Sequence, residues 1–178
     1  MTRFLYHYFD ASRGPFRNLS GLPIPDAERL SRQIVREGRA FAAKRPEGYM
    51  AVRRELEARA RKLFEDKGGR PRTAFPHYMT LEACDWLLSW YENSDCLSMD
   101  WDVFPEDAIS FTYGDLFPTM KVQDGKPYRG QVYTKSEIVQ VIDAYGMPQS
   151  WNANGEKGPE RYIEAQIWDE EGIRAWLV

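Results

Sequence analysis

RYIEAQIW, residues 161–168, sets Glu164 between Ile163 and Ala165 in a run of apolar and aromatic residues, the composition and spacing of a strand. Working back along the chain, AISFTYGDL (108–116), DCLSMDW (95–101) and FPHYMTL (75–81) carry the same signature. RFLYHYF (3–9) adds a first strand that stops at the Ser12-Arg13-Gly14-Pro15 turn. Between the strands lie helical patterns. Asp26 is placed to cap a helix with Ala27, Leu30 and Ile34 on one stripe, and a break at Pro46-Glu47-Gly48 precedes a second with Val52, Leu56, Ala60 and Leu63. KGGRP (67–71) ends that helix. ACDWLLSWYEN (83–93) reads as a short helix. TKSEIVQVIDAYG (134–146) has a Thr134/Glu137 capping box, a stripe of Ile138, Val141, Ile142 and Tyr145, and a Gly146 stop. Strands therefore fall at both ends and in the middle, with helices grouped. This pattern predicts a single α+β domain over 1–178 with a mixed or mostly antiparallel sheet. Asp124-Gly125, within 119–133, is expected to be a hairpin turn or a loop tip, and 169–178 a short helical or extended tail.

Composition narrows the partners. The 178 residues are 43% hydrophobic and 29% charged, ordinary for a compact domain of this length. A formal net charge of −3 points away from nucleic acid, and no apolar run is long enough to cross a bilayer. His7, Asp10, Arg13 and Arg17 interrupt the place where a secretory leader would be apolar. Two cysteines, Cys84 and Cys96, are too few for a disulfide framework, so the expectation is a cytoplasmic protein.

Several side chains are candidates for chemistry. There is no glycine-rich phosphate loop, HExxH or CxxC motif, and His7, His77, Cys84 and Cys96 match no common zinc spacing, so no metal site is expected. Strand alternation puts Tyr6 and Tyr8 on one face and Leu5, His7 and Phe9 on the other. A histidine among apolar neighbours reads first as a hydrogen-bonded packing residue. SRGPFRNLS (12–20) offers Arg13, Arg17 and Asn18 around a Gly-Pro turn, either a phosphate-binding loop or a simple connection. Trp86, Trp90 and Tyr91 on one short element form either core or the wall of a cleft for a flat ligand. Asp115 after Gly114 is a turn former or a carboxylate at a strand end. Glu164, inside a strand, faces either solvent or a cleft, where it would act as a base or an electrostatic stabiliser, and Asp10 is a further acid–base candidate. The polar side of the second helix, with Arg53, Arg54, Glu57 and Arg61, is expected to be a solvated face with intrahelical pairs, an Arg-rich phosphate surface being the alternative.

Two resemblances follow from these residues. YHYFDASRGPFRNLS, PHYMTLEACDWLLSWY, ISFTYGD and GPERYIEAQIW resemble a bacterial protein family without an assigned activity, which implies one complete domain and no mechanism. More distantly, LYHYF with His7, PHYMTLEACDWLLSWY with Tyr78 and RYIEAQIWDEEGI with Glu164 are similar in order to the ADP-ribosyltransferase superfamily. That similarity implies NAD as a substrate, His7 binding it through the ribose, Tyr78 by stacking, and Glu164 supporting the oxocarbenium-like state as nicotinamide leaves. A long helical insertion before Tyr78 departs from the superfamily pattern. The competing expectation is a non-enzymatic module binding a protein partner or a small ligand through an exposed apolar patch.

Overall fold

The computed structural model describes residues 3–38, 46 and 48–177. Five strands, β1 (Phe4–Asp10), β2 (His77–Leu81), β3 (Ser94–Asp100), β4 (Ile109–Thr112) and β5 (Ile163–Ile167), form one sheet of order β3-β1-β2-β5-β4. Every pairing within it is antiparallel. The architecture is α+β, with helices α1 (Ile24–Glu37), α2 (Tyr49–Asp66), α3 (Leu116–Lys121), α4 (Lys135–Tyr145) and α5 (Pro148–Trp151) packed around the sheet. No helix among the described residues is long and apolar enough to cross a membrane.

The register assigns the two faces. Leu5, Met79, Leu81, Ile163, Ala165, Ile167, Ile109 and Phe111 share one face and form the main core with Ile138 of α4, Phe104 and Ile173. On the opposite face Tyr78, Thr80, Glu164, Gln166, Ser110 and Thr112 make a polar surface, and Trp168 packs there with Leu56, Ala60 and Phe64 of α2 and Leu116 and Met120 of α3. The polar face is thus roofed by helices rather than by water.

Local signals account for most boundaries, and the differences have physical causes. The α4 capping box forms as expected, Thr134 accepting from the Glu137 amide and Glu137 from the Thr134 amide. Helix α1 starts two residues before Asp26, because Pro25 is preorganised for the first turn; Asp26 pairs with Arg29 at 2.7 Å. Of the expected break at 46–48, Glu47 lies outside the described residues, and Gly48 precedes α2 at φ 75°. The 108–116 strand is shorter than expected. After Thr112, Gly114 turns the chain at φ 112°, and Asp115 caps α3 by accepting from the Phe117 amide at 2.8 Å. Asp124-Gly125 makes a bend, not a hairpin between strands, and Arg129 and Lys126 pin this loop to Asp124 and the buried Glu160. The 83–93 segment contains a 3-10 turn, Asp85–Trp90, and the tail another, Glu171–Trp176. Val178, at the end of that tail, lies outside the described residues.

Candidate active site

Strands β1 and β2 are paired only at Leu5↔Leu81 and Tyr6↔Thr80, whereas β1 pairs with β3 along its whole length. Beyond Tyr6 the two central strands part, and His7 fills the gap. The Phe16 amide can only donate, so His7 Nε2 accepts from it at 2.9 Å; Nδ1 therefore carries the proton and donates to the Tyr78 carbonyl at 2.9 Å. The Phe16 ring stacks on the imidazole with centroids 4.0 Å apart. Burial lowers the His7 pKa to about 4, with the Tyr78 carbonyl opposing and the charge of His77 adding to the shift. His7 is a neutral wedge with both nitrogens committed to backbone.

The parting of the strands opens a cleft of about 680 Å³, within the usual range for small-molecule sites. His7, Arg13, Arg17, Asn18, Tyr78 and Glu164 all line it, together with Arg53, Asp115 and Tyr162. Trp90 and Tyr91 line it too. Trp86 is not among the lining residues; it meets Trp90 edge-on and carries the Arg161 guanidinium 4.0 Å from its ring centroid.

One wall is built on α2, where the expected intrahelical pairs form, Arg53 with Glu57 and Arg61 with Glu65, but Arg53 and Glu57 are not solvated. Arg53 is 9% exposed and Glu57 is fully buried, because this face of the helix packs over the polar face of the sheet. Glu57 Oε1 accepts from Arg53 Nε at 2.9 Å, Ser20 Oγ at 2.9 Å and the Tyr78 hydroxyl at 2.7 Å. The Arg53 guanidinium lies 5.0 Å from the Tyr78 ring centroid. Burial by itself would make Arg53 easier to deprotonate, but Tyr78, Tyr49 and Glu57 outweigh it and hold the charge. Tyr78 is thereby fixed in orientation. Asn18 is also committed: its carbonyl caps the turn at Ser20 and accepts from Arg53, and its amide donates to the Pro76 carbonyl at 2.7 Å.

The floor carries two carboxyl groups on consecutive amides. Glu164, 7% exposed, accepts from the Leu116 amide at 3.2 Å through Oε1, and Asp115 accepts from the next amide, Phe117. The Tyr162 hydroxyl donates to Asp115 Oδ2 at 3.0 Å. Burial and then the charge of Asp115 push Glu164 well above the usual carboxylate range, against the donors Gln166 and Leu116 and the charge of Arg53. Burial and the two carboxylates also hold the Tyr162 hydroxyl protonated.

A stability signature follows. A carboxyl whose folded pKa is raised binds its proton more tightly in the folded than in the unfolded state, so its contribution is full below the ordinary glutamate pKa. It is lost as pH climbs toward the folded value, at about 1.4 kcal/mol per pH unit. Glu164→Gln removes that loss. The expected result is a variant more stable than the parent at pH 7, with an advantage that shrinks as pH is lowered toward 4.5, read by urea denaturation across pH.

At the rim, Arg13 pairs with Glu37 of α1 at 3.3 Å, and Arg17 Nε donates to the Arg13 carbonyl at 3.0 Å. Gly14, φ 81°, turns this loop. Asp10 accepts from the amide and hydroxyl of Ser12, which lowers its pKa and makes it a turn anchor. Among the cleft residues, sequence reasoning assigned Tyr162 to no site, and Arg53, with Glu57 behind it, entered only as the alternative of an Arg-rich phosphate surface. Their signal was a buried stripe of charge on α2 and an aromatic two residues before Glu164, both of which look like surface or core until the sheet is assembled.

Comparison with protein-family models, with curated proteins and with solved structures finds no match to this chain. The two resemblances drawn from the sequence therefore rest on their motifs alone.

Proposed function

We propose that the cleft takes NAD⁺ as a substrate and that the protein is a small NAD-consuming transferase or hydrolase. The observation that supports this best is the buried Glu164 carboxyl beside Asp115 at the floor of a cleft whose rim carries Arg13 and Arg17. Guanidinium groups suit a pyrophosphate, and paired carboxyls suit the cationic ribose carbon of a glycosidic bond as it breaks. In the reaction the ribose C1′–nicotinamide bond breaks, its electron pair neutralises the pyridinium nitrogen, and nicotinamide departs. Water or an acceptor then bonds to C1′ and gives up a proton. Glu164 serves this step as an anion. A cationic ring entering the cleft favours its ionised form, so binding expels the Glu164 proton to solvent.

Tyr78 lines the cleft with the Arg53 guanidinium 5.0 Å from its ring centroid, and in this reading its ring borders the bound ligand. The ribose contact implied for His7 is replaced in this reading, because Phe16 and Tyr78 already hold both imidazole nitrogens. His7 instead keeps the strand ends apart. A concave cleft of about 680 Å³ also suits a small ligand better than a protein partner held on an exposed apolar patch.

The test is a thermal-shift titration with NAD⁺, ADP-ribose and nicotinamide, followed by a nicotinamide-release assay. A ligand that binds only the folded state raises the melting temperature by mass action. NAD⁺ is expected to give a saturable shift in the parent and in Glu164→Gln, while release falls by about 100-fold or more in the variant. In the parent, release is expected to rise with pH through a limb above the ordinary carboxylate range. Absence of any shift at millimolar NAD⁺, with the protein folded, overturns the proposal.

A further inference from the structure

The buried polar face of β4 and β5 holds a chain of hydrogen bonds that runs from an obligate donor, the Trp168 indole, to Glu164. Trp168 Nε1 can only donate, and does so to Ser110 Oγ at 2.8 Å. The Ser110 hydroxyl gives its one hydrogen to Gln166 Oε1 at 3.0 Å. That contact orients the amide, because the acceptor end of Gln166 faces Ser110 and the NH₂ end must face the other way. Gln166 Nε2 reaches two acceptors, Thr112 Oγ1 at 3.0 Å and Glu164 Oε1 at 3.2 Å. Thr112 cannot reverse this, since its hydroxyl donates to the Gly114 carbonyl at 2.8 Å. Ser110, Thr112, Gln166 and Trp168 all have no exposed surface, so water is not at hand to substitute for a lost partner.

We propose that Gln166 is a positioning residue for Glu164, with its amide oriented through Ser110 by the indole of Trp168. None of these three residues lines the cleft. The consequence lies in which oxygen of Glu164 carries the proton. Oε1 receives two N–H donors, from Leu116 and from Gln166, and is an obligate acceptor. The proton of the neutral acid therefore resides on Oε2, and that is the atom from which it leaves when a cation enters. The groups facing this carboxyl are Asp115 and Tyr162 on one side and Arg53 and Tyr78 from α2 and β2. Among the described residues, Glu164 accepts hydrogen bonds from the Leu116 amide and from Gln166 Nε2. Because the first of these is backbone, the second is the one a substitution can remove.

This inference rests on Glu164 being the acting group of the cleft, and its test needs no NAD⁺, so it can fail or hold independently of the proposed reaction. The carboxyl titration of Glu164 is followed by NMR with ¹³C-labelled glutamate, assigned by its loss in Glu164→Gln, in the parent, Gln166→Met, Ser110→Ala and Trp168→Phe. Gln166→Met keeps shape and removes a donor that favours the anion. The Glu164 titration is expected to move up by about one pH unit, tenfold in proton affinity. Ser110→Ala and Trp168→Phe free the amide to turn its oxygen toward Glu164, and are expected to move the titration in the same direction by less. Packing changes that leave the amide in place would not shift a titration two or three hydrogen bonds away. A Glu164 titration unchanged in folded Gln166→Met overturns the positioning role. A shift in Gln166→Met with none in Ser110→Ala overturns the upstream orientation, and Ser110→Ala decides that point alone if Trp168→Phe does not fold.

Discussion

Arg53→Ala is expected to lower the unfolding free energy by about 3–5 kcal/mol, the range for removing one partner of a buried ion pair. The reason lies in Glu57. Its Oε1 collects Arg53, Ser20 and Tyr78, while its Oε2 is buried with no hydrogen bond among the described residues, so the carboxylate depends on the guanidinium for its charge balance. Taking Arg53 away strands a full negative charge with no exposed surface. Exposed pairs on the same protein set the contrast. Arg32→Ala, which breaks an i,i+4 contact of 3.8 Å to Glu28 on α1, is expected to cost less than about 0.5 kcal/mol. Urea denaturation at pH 7 measures both. A loss in Arg53→Ala no larger than that in Arg32→Ala would mean that the buried pair contributes nothing beyond a surface pair, against the burial described. Arg53→Ala also removes the group that lies on Tyr78, so any ligand response of the cleft should weaken along with stability.

His7→Ala is expected to cost about 3 kcal/mol at pH 7. The substitution strands the Phe16 amide and the Tyr78 carbonyl, removes the ring stacked on Phe16, and leaves a cavity where the strands part. The pH dependence distinguishes this mechanism from simple loss of volume. Because the folded pKa is depressed to about 4 from 6.5, the contribution of His7 is full above pH 6.5 and is lost as pH falls toward 4. In that interval the unfolded chain takes up a proton that the folded protein refuses. The loss amounts to at most about 3 kcal/mol, and the gap between parent and variant should narrow by that amount. Denaturation curves at pH 7, 5.5 and 4 give the answer; a gap that stays constant would show that the imidazole ionises freely in the folded state. Glu164 is unchanged in both proteins, so its opposite pH trend cancels in the comparison.

These two residues show how far a linear reading reaches. His7 was legible as a core-facing histidine because strand alternation puts it with Leu5 and Phe9, and its hydrogen bonds to backbone agree with that reading. What alternation cannot report is that β1 and β2 separate next to it, since pairing is a property of two segments far apart in the chain. Arg53 was misread for a related reason. Its i,i+4 spacing to Glu57 is the pattern of a surface pair on an isolated helix, and nothing within α2 says that this face meets a sheet whose own face is polar. Trp86 meets Trp90 edge-on within the 3-10 turn, and only Trp90 of the two lines the cleft, a difference that depends on the Arg161 guanidinium and the other groups packed around them and not on the segment itself.

Elements with strong local codes follow from the residues themselves. The capping box and stripe of α4, the alternation in β1, β2 and β5 and the α+β class depend on neighbours within a few positions, where backbone geometry is set by sterics and short-range hydrogen bonds. The strand order, the parting of β1 from β2, the burial of Arg53 and Glu57, and the raised pKa of Glu164 beside Asp115 were decided only by the tertiary structure. Desolvation and the direction of a hydrogen bond depend on what packs against a group, and for Glu164 those partners come from Leu116 and Gln166 on one side and the α2 roof on the other.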